Sequence, residues 1–204
     1  MDVLCGQTLH ARITYAQVRS GTLHEVMGLL SDSLYPSFKR MEGFKGALLL
    51  TNASTERVDG ITLWDTESDV PHVSETEIET AGRLTLRFFE ADPSEKLAAI
   101  PLAGQPGREI YEVMVQVSEA TGGDPVHAKI LTVQVQPGMM DELIRIARDF
   151  AAPLFKQQKG FKSYFVLIQD STYKELMITL WEKESDERNW EMSSRYRELT
   201  SIMT

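Results

Sequence analysis

The chain has one cysteine, Cys5, among 204 residues. No intramolecular disulfide can form, and metal sites built on two or four cysteines are excluded. No apolar run approaches the roughly 20 residues that a membrane-spanning helix needs. The first residues, MDVLCGQTLH, lack the basic start and long apolar stretch of a secretory signal. A cytoplasmic location is the expectation. Basic residues are also short: 21 Lys and Arg stand against 30 Asp and Glu, for a formal net charge of −9. The basic residues are scattered, whereas a phosphate-binding surface needs them clustered. Neither nucleic acid nor a membrane is therefore expected as a partner. There is no glycine-rich phosphate loop, no nucleophile elbow and no His-Glu-x-x-His. Of the four histidines, His24 and His72 adjoin helical patterns, and His10 and His127 begin extended ones. A neutral imidazole can act as base or ligand, but a polar residue at the start of a surface strand explains the last pair equally well.

What the chain has instead is a copy of itself. Shifted by 117 positions, residues 10–69 lie on residues 127–186 without a gap, and 24 of the 60 pairs are identical. The strongest block runs Pro36, Phe38-Lys39, Gly43-Phe44-Lys45, Ser54-Thr55, Ile61-Thr62-Leu63-Trp64, Glu67-Ser68-Asp69. It returns as Pro153, Phe155-Lys156, Gly160-Phe161-Lys162, Ser171-Thr172, Ile178-Thr179-Leu180-Trp181, Glu184-Ser185-Asp186. Solenoid repeats have periods of about 20 to 50 residues, so this unit is a domain. The expected division is a first repeat over 1–118, a Gly-rich polar linker over 119–126, and a second repeat over 127–204.

Each copy opens with an alternating, β-branched run (residues 11–19 and 128–136), which predicts a strand. A helical stripe follows: Leu23, Val26, Met27, Leu30 and Leu34 in the first copy, Met140, Leu143, Ile144, Ala147 and Ala151 in the second. Ser20 or Thr22 could cap the first helix. Pro36 and Pro153 fall late in these helices and predict a kink or an end. Gly43 and Gly160 then mark turns. Two strands joined as a hairpin come next, at 45–51 with 57–64 and at 162–168 with 174–181. Glu-Ser-Asp starts a second helix in each copy. The first copy continues through 73–102 into a strong strand at 109–117; the second ends in a helix at 187–203. The order is β-α-β-β-α-β followed by β-α-β-β-α. That is the ferredoxin-like split βαβ unit, with both helices on one face of an antiparallel sheet. The fold class is α+β: two tandem ferredoxin-like repeats forming a pseudo-dimeric barrel, each sheet covering the other's open face. The second repeat lacks an evident last strand, and an open edge invites further pairing, with a second copy of the chain or by strand exchange.

The run Pro-x-Phe-Lys-x-x-x-Gly-Phe-Lys, then a hairpin ending in Ile-Thr-Leu-Trp and Glu-Ser-Asp, resembles the antibiotic-biosynthesis-monooxygenase (ABM) type of dimeric α/β barrel. It occurs twice, and in the second copy Trp190 and Ser193 continue the pattern; Val73 and Thr76 hold those places in the first. The resemblance implies a small, cofactor-poor barrel, and for this chain no cofactor and no metal are expected. Some members oxygenate polycyclic aromatic substrates without metal or flavin, others bind and degrade haem, and many have no known activity. A haem-degrading member is expected to carry an Asn in the first strand and a His in the second helix. Neither first strand here has the Asn, and residues 187–203 have no His.

The candidate substrate-binding residues are Trp64, Trp181, Tyr15, Gln17, Gln134 and Tyr164, and no catalytic residue can be named. Trp64 and Trp181 fall where the family's strand tryptophan borders a cavity; each could equally fill the core. Gln17 and Gln134 are repeat-related, with Tyr15 and Thr132 on their face. They could hold a ligand carbonyl or a structural seam. Tyr164 replaces Ala47, so the two repeats should carry unequal cavities. Three functions follow: a cofactor-independent monooxygenase acting on an aromatic or polyketide-like small molecule, a non-catalytic small-molecule-binding or scaffold protein of the same fold, or, less favoured, a haem binder.

Overall fold

A computed structural model describes residues 8–71, 107–118 and 126–202. The chain divides into two compact units. The described residues of one lie within 9–111 and those of the other within 112–202, together with Thr8.

In the first unit, β1 (Leu9–Gln17) is followed by a helix in three parts: α1 (Leu23–Leu29), a π-helical turn (Leu30–Leu34) and α2 (Tyr35–Phe38). The hairpin β2 (Phe44–Asn52) and β3 (Arg57–Trp64) follows. β3 lies between β2 and β1, antiparallel to both, with Ile61 opposite Ile13 and Leu48. The expected second helix of this repeat, within 73–102, lies outside the described residues, as do His72, the linker and Cys5.

The second unit repeats the plan: β5 (His127–Gln134), α3 (Met140–Ile146), a π-helical turn (Ala147–Ala151), α4 (Ala152–Lys156), β6 (Phe161–Gln169), β7 (Lys174–Trp181), α5 (Glu184–Glu191) and α6 (Ser194–Ile202). β7 lies between β6 and β5, again antiparallel to both. The tandem ferredoxin-like reading therefore holds.

Between the two hairpins in sequence runs β4 (Gly107–Ser118), and the unit boundary cuts it. Ile110 packs onto the first unit's cluster of Phe38, Trp64 and Val70. Glu112 to Ser118 pair antiparallel with Ile168 to Ser163 of β6. The strand that closes the first repeat in sequence thus supplies the second repeat's sheet with an outer strand.

Two expectations are corrected. Among the described residues, β2 pairs only with β3 and β5 only with β7, so hydrogen bonds do not close the strands into a barrel. The prolines do not end their helices, which continue past them. Pro153 has no N–H to give the carbonyl four residues back, and a wider π turn immediately before it takes up the mismatch. Pro36 follows the equivalent turn at Leu30–Leu34. Thr22 stands at the start of α1 without capping it; its hydroxyl donates instead to the Arg19 carbonyl at 2.7 Å.

The shared motif residues hold the turns. Gly43 and Gly160 have φ of +72° and +75°, and a Cβ there would sit 2.4 Å from a carboxylate atom of Asp69 or Asp186. Gly-Phe-Lys and Glu-Ser-Asp recur together because one needs the other's side chain against its backbone. In the first copy Asp69 also closes a capping box with Thr66.

Candidate functional site

Strand alternation sorts the candidates onto two faces. In β6 and β7 one face carries Tyr164, Val166 and Ile168 beside Thr179, Met177 and Glu175, with Trp181 at the end. This is the helix side, and most of these residues join one cluster with Val135, Met140, Ala147, Ala151, Ala152, Phe155, Trp190 and Leu199. Gln134 sits opposite Lys174, on the other face. In the first repeat Trp64 and Thr62 share a face with His10 and Arg12, whereas Tyr15 and Gln17 sit opposite Asp59 and Arg57 on the far one. The structure therefore brings Trp181 and Tyr164 onto one face and leaves Tyr15, Gln17 and Gln134 elsewhere.

Both tryptophans are fully buried, at 0 % exposure. Each satisfies its own indole N–H two residues back, Trp64 on Thr62 Oγ1 at 2.9 Å and Trp181 on Thr179 Oγ1 at 3.0 Å. The Thr-x-Trp spacing exists for this bond, since residues two apart share a strand face. The rings pack edge-on against Phe38 and Phe44 in one copy and against Phe155 and Phe161 in the other. Trp190 joins the second cluster, 5.1 Å from Phe155, and Ser193 Oγ accepts the Tyr196 N–H at the start of α6.

The glutamines clasp hairpins. Gln17 donates to the Thr55 carbonyl, and Gln134 to the carbonyls of Thr172 and Tyr173 at 2.7 and 3.1 Å. Both are exposed. Tyr15 lies under the Arg57 guanidinium at 4.9 Å, and Arg57 pairs with Asp59 at 2.8 Å.

Tyr164 differs in kind. Its ring is wholly buried, 4.8 Å from Phe155, and its hydroxyl has no hydrogen-bond partner. Burial, with the nearby charge of Glu175, pushes its pKa up, so it stays a hydrogen-bond donor. A second buried side chain of this unit also lacks a partner among the described residues. Glu175 is 1 % exposed, and neither carboxylate oxygen has a partner. Desolvation raises its pKa to about 7. The signal was available in the repeat: Glu175 aligns with Val58, as Tyr164 aligns with Ala47. Val58 packs with Val18, Val26, Leu23, Leu30 and Leu49. The matching positions, Val135, Leu143, Met140, Ala147 and Val166, all belong to the second unit's apolar cluster. A carboxyl has replaced a methyl-bearing side chain at an apolar position.

On the same face, Val166 and Met177 stand between Tyr164 and Glu175. Four residues of strand separate the two polar positions, about 13 Å between backbones. The helix segment of that cluster is unusually small: Ala147, Ala151 and Ala152 replace Leu30, Leu34 and Tyr35. The arrangement is an apolar floor, small residues in the facing helix, and a hydrogen-bonding group toward each end.

The other buried acid of this unit, Glu187, is paired. Lys129 binds Glu187 at 2.9 Å and also Glu191, and His127 lies 3.8 Å from Glu187. Burial works against the Lys129 charge, but its hydrogen bonds to Glu191 and Glu187 outweigh that and raise its pKa. The cluster ties α5 to β5. The described residues hold no group of three or more potential metal ligands. Nor is any described helix long and apolar enough to cross a membrane.

A two-layer ferredoxin-like fold carrying a duplicated β-α-β-β plan defines the class. Residues 127–200, within the second repeat, match the family model for antibiotic biosynthesis monooxygenases, and the duplicated motif makes the first repeat similar to the second. No curated protein matches the sequence. Among solved structures, a candidate monooxygenase from Fusobacterium nucleatum superposes with a TM-score of 0.71 at 9% identity, covering 97% of this chain and 87% of that one. An anthrone oxidase-like protein gives 0.59 at 13% identity, covering 98% and 86%. A heme-degrading enzyme from Listeria monocytogenes gives 0.51 at 14%, covering 95% and 88%. At these identities the likeness is one of fold.

Proposed function

We propose that the second repeat binds a flat, largely apolar molecule of aromatic or polyketide type on the helix side of its sheet and oxygenates it with molecular oxygen alone. One observation carries this reading. Two buried polar side chains, Tyr164 and Glu175, have no partner among the described residues, at positions where the first repeat builds the same hairpin with Ala47 and Val58. Leaving a buried polar group unpaired costs about 1–3 kcal/mol. A fold that forms without these groups does not need them, so binding something else is the economical reason for their presence.

The chemistry needs no resident cofactor. A methylene flanked by two aromatic rings reacts with one molecule of oxygen to give a carbonyl and one molecule of water. Both methylene hydrogens leave in the water, and the substrate supplies every electron. The protein's part is to bind the molecule, exclude bulk water and stabilise the charge that develops. The likeness to an anthrone oxidase-like protein supports trying that substrate class first. Oxygen consumption with anthrone is the direct test. Uptake above the uncatalysed rate, lost when Tyr164 and Glu175 are replaced by the first repeat's Ala and Val, supports the reading; uptake unchanged by that exchange sinks it. Binding of anthrone without uptake would instead make this a small-molecule-binding protein. Haem has less support: β1 and β5 carry no Asn, and α5 and α6 carry no His. A haem titration that produces no Soret band would remove it.

A further inference from the structure

We infer that Glu175 is the group that takes the substrate's proton, and that Tyr164 donates a hydrogen bond to the anion so formed. This deepens the reading above and rests on it for the substrate class, but it is tested separately.

The inference begins from what the carboxyl lacks. Among the described residues of the second unit, the buried side-chain polar atoms without a partner are the Tyr164 hydroxyl and the two Glu175 oxygens. The remaining buried acid, Glu187, is held by Lys129. A structural glutamate would be expected to have such a partner, because an isolated carboxylate in an apolar cluster is strongly disfavoured. Val58 shows that the position itself asks for an apolar side chain.

The geometry gives the carboxyl something to face. Glu175 and Tyr164 share one face of the β6–β7 hairpin, and the stretch between them is floored by Val166 and Met177. A fused-ring ketone has a flat apolar body, a carbonyl oxygen at one edge and acidic hydrogens at another. Tyr164 and Val166 are both at 0 % exposure, so such a molecule can offer its hydrogens to the carboxylate and its oxygen to the phenol only if the helix segment carrying Ala147, Ala151 and Ala152 moves off them.

Proton transfer also suits the electrostatics. The C–H bond breaks, its proton goes to a Glu175 oxygen, and the electron pair stays on the ring system as an enolate. The net charge inside the cluster does not change. It moves from a carboxylate that concentrates it on two oxygens to an anion that spreads it over the rings. A carboxyl whose pKa lies near 7 is poised for this, since both its forms are populated at neutral pH. Tyr164 remains protonated and so remains a donor to the enolate oxygen. The enolate then reduces molecular oxygen to a substrate hydroperoxide, the proton returns from Glu175, and loss of water leaves the new carbonyl.

The test is an anaerobic titration with anthrone, read by the absorption band of its enolate. Wild-type protein should bind anthrone and convert a large part of it to the anion. Glu175→Gln, which keeps the shape but cannot accept the proton, should bind with an anion band at least ten-fold weaker, and Glu175→Asp should restore part of it. Tyr164→Phe should shift the bound population back toward the ketone by several-fold. A thermal melt guards against misfolding; Glu175→Val serves as a second variant, because Val stands at this position in the first repeat. An equal anion band in wild type and Glu175→Gln, or no anion with wild type, overturns the inference. The two readings fail separately. Anion formation without later oxygen uptake would sink the oxygenase and leave Glu175 as the proton acceptor. Oxygen uptake unaffected by Glu175→Gln would do the reverse.

Discussion

The two repeats share their turns and their tryptophans and differ in what they bury beside them. Val58 in the first repeat sits among Val18, Val26, Leu23, Leu30 and Leu49. Glu175 occupies the same place in the second, with no partner for either oxygen. Ala47 against Tyr164 is the companion change, and Leu30 against Ala147 gives back part of the volume. Identical pairs therefore report what the fold needs. The unlike pairs at buried positions mark where the two copies differ in the chemistry they bury.

The comparison also covers the edges. Ile13 in β1 is 5 % exposed, while its equivalent Ile130 in β5 is 38 % exposed and Leu131 beside it 43 %. β5 has no strand on its outer side among the described residues. The open edge expected from the missing last strand is therefore present at β5. The β4–β6 pairing lies at the opposite side of the second sheet.

Several substitutions would break or sharpen this comparison. The largest effect should be shared. Trp64→Ala and Trp181→Ala should each cost about 3–5 kcal/mol in chemical denaturation, because both rings are fully buried in matching aromatic clusters. A large cost at one site only would mean the two tryptophans do different work.

The next effect should be one-sided. Glu175 has its pKa raised from 4.5 to about 7 by burial. The folded state therefore holds this proton more tightly than the unfolded chain. Stability from this group is full below about pH 4.5, falls as the pH rises towards 7, and is lost above that. At 1.36 kcal/mol per pH unit the loss amounts to about 3 kcal/mol. Glu175→Val should be more stable than wild type at pH 8 by an amount of that order, and its stability should not fall across that window. A wild-type stability curve flat from pH 4.5 to 7 would show that the carboxyl finds a partner in solution.

A smaller contrast concerns the edges. Ile13→Ala should cost about 2 kcal/mol or more. Ile130→Ala should cost under about 1 kcal/mol, since its side chain is already partly in water. Equal costs in denaturation would mean that β5 is covered in solution, and sedimentation would then report an associated form. The smallest effect belongs to the hairpin clasps. Gln17→Ala and Gln134→Ala should each lose about 1 kcal/mol in thermal melts, and Gln134→Ala should leave anthrone binding unchanged, because it lies on the face away from Tyr164.

Much of this was legible without coordinates. Alternation at 57–64 and 174–181 named β3 and β7, and the stripe from Leu23 to Leu34 named the first helix. Local periodicity carries that information because a strand or helix buries one face. The repeat marks both tryptophans, yet their indoles donate to Thr62 and Thr179, and only side-chain geometry reveals that. Tyr164 was found because it broke the repeat. Glu175 broke it in the same way, but a glutamate beginning a strand after Lys174 looks like an ordinary solvated residue until burial is known. The π turns before Pro36 and Pro153 were out of reach for another reason: a proline says that one hydrogen bond is missing, not how the helix will absorb the loss.

By itself the sequence determined the duplication, the order of elements and the ferredoxin-like plan, since these follow from identity between copies and from local hydrophobic period. Tertiary structure alone decided that β4 would pair with β6 and that Tyr164 and Glu175 would share a buried face. Those outcomes depend on which distant surfaces exclude water together, and burial of that kind is a property of the packed chain rather than of any stretch of it.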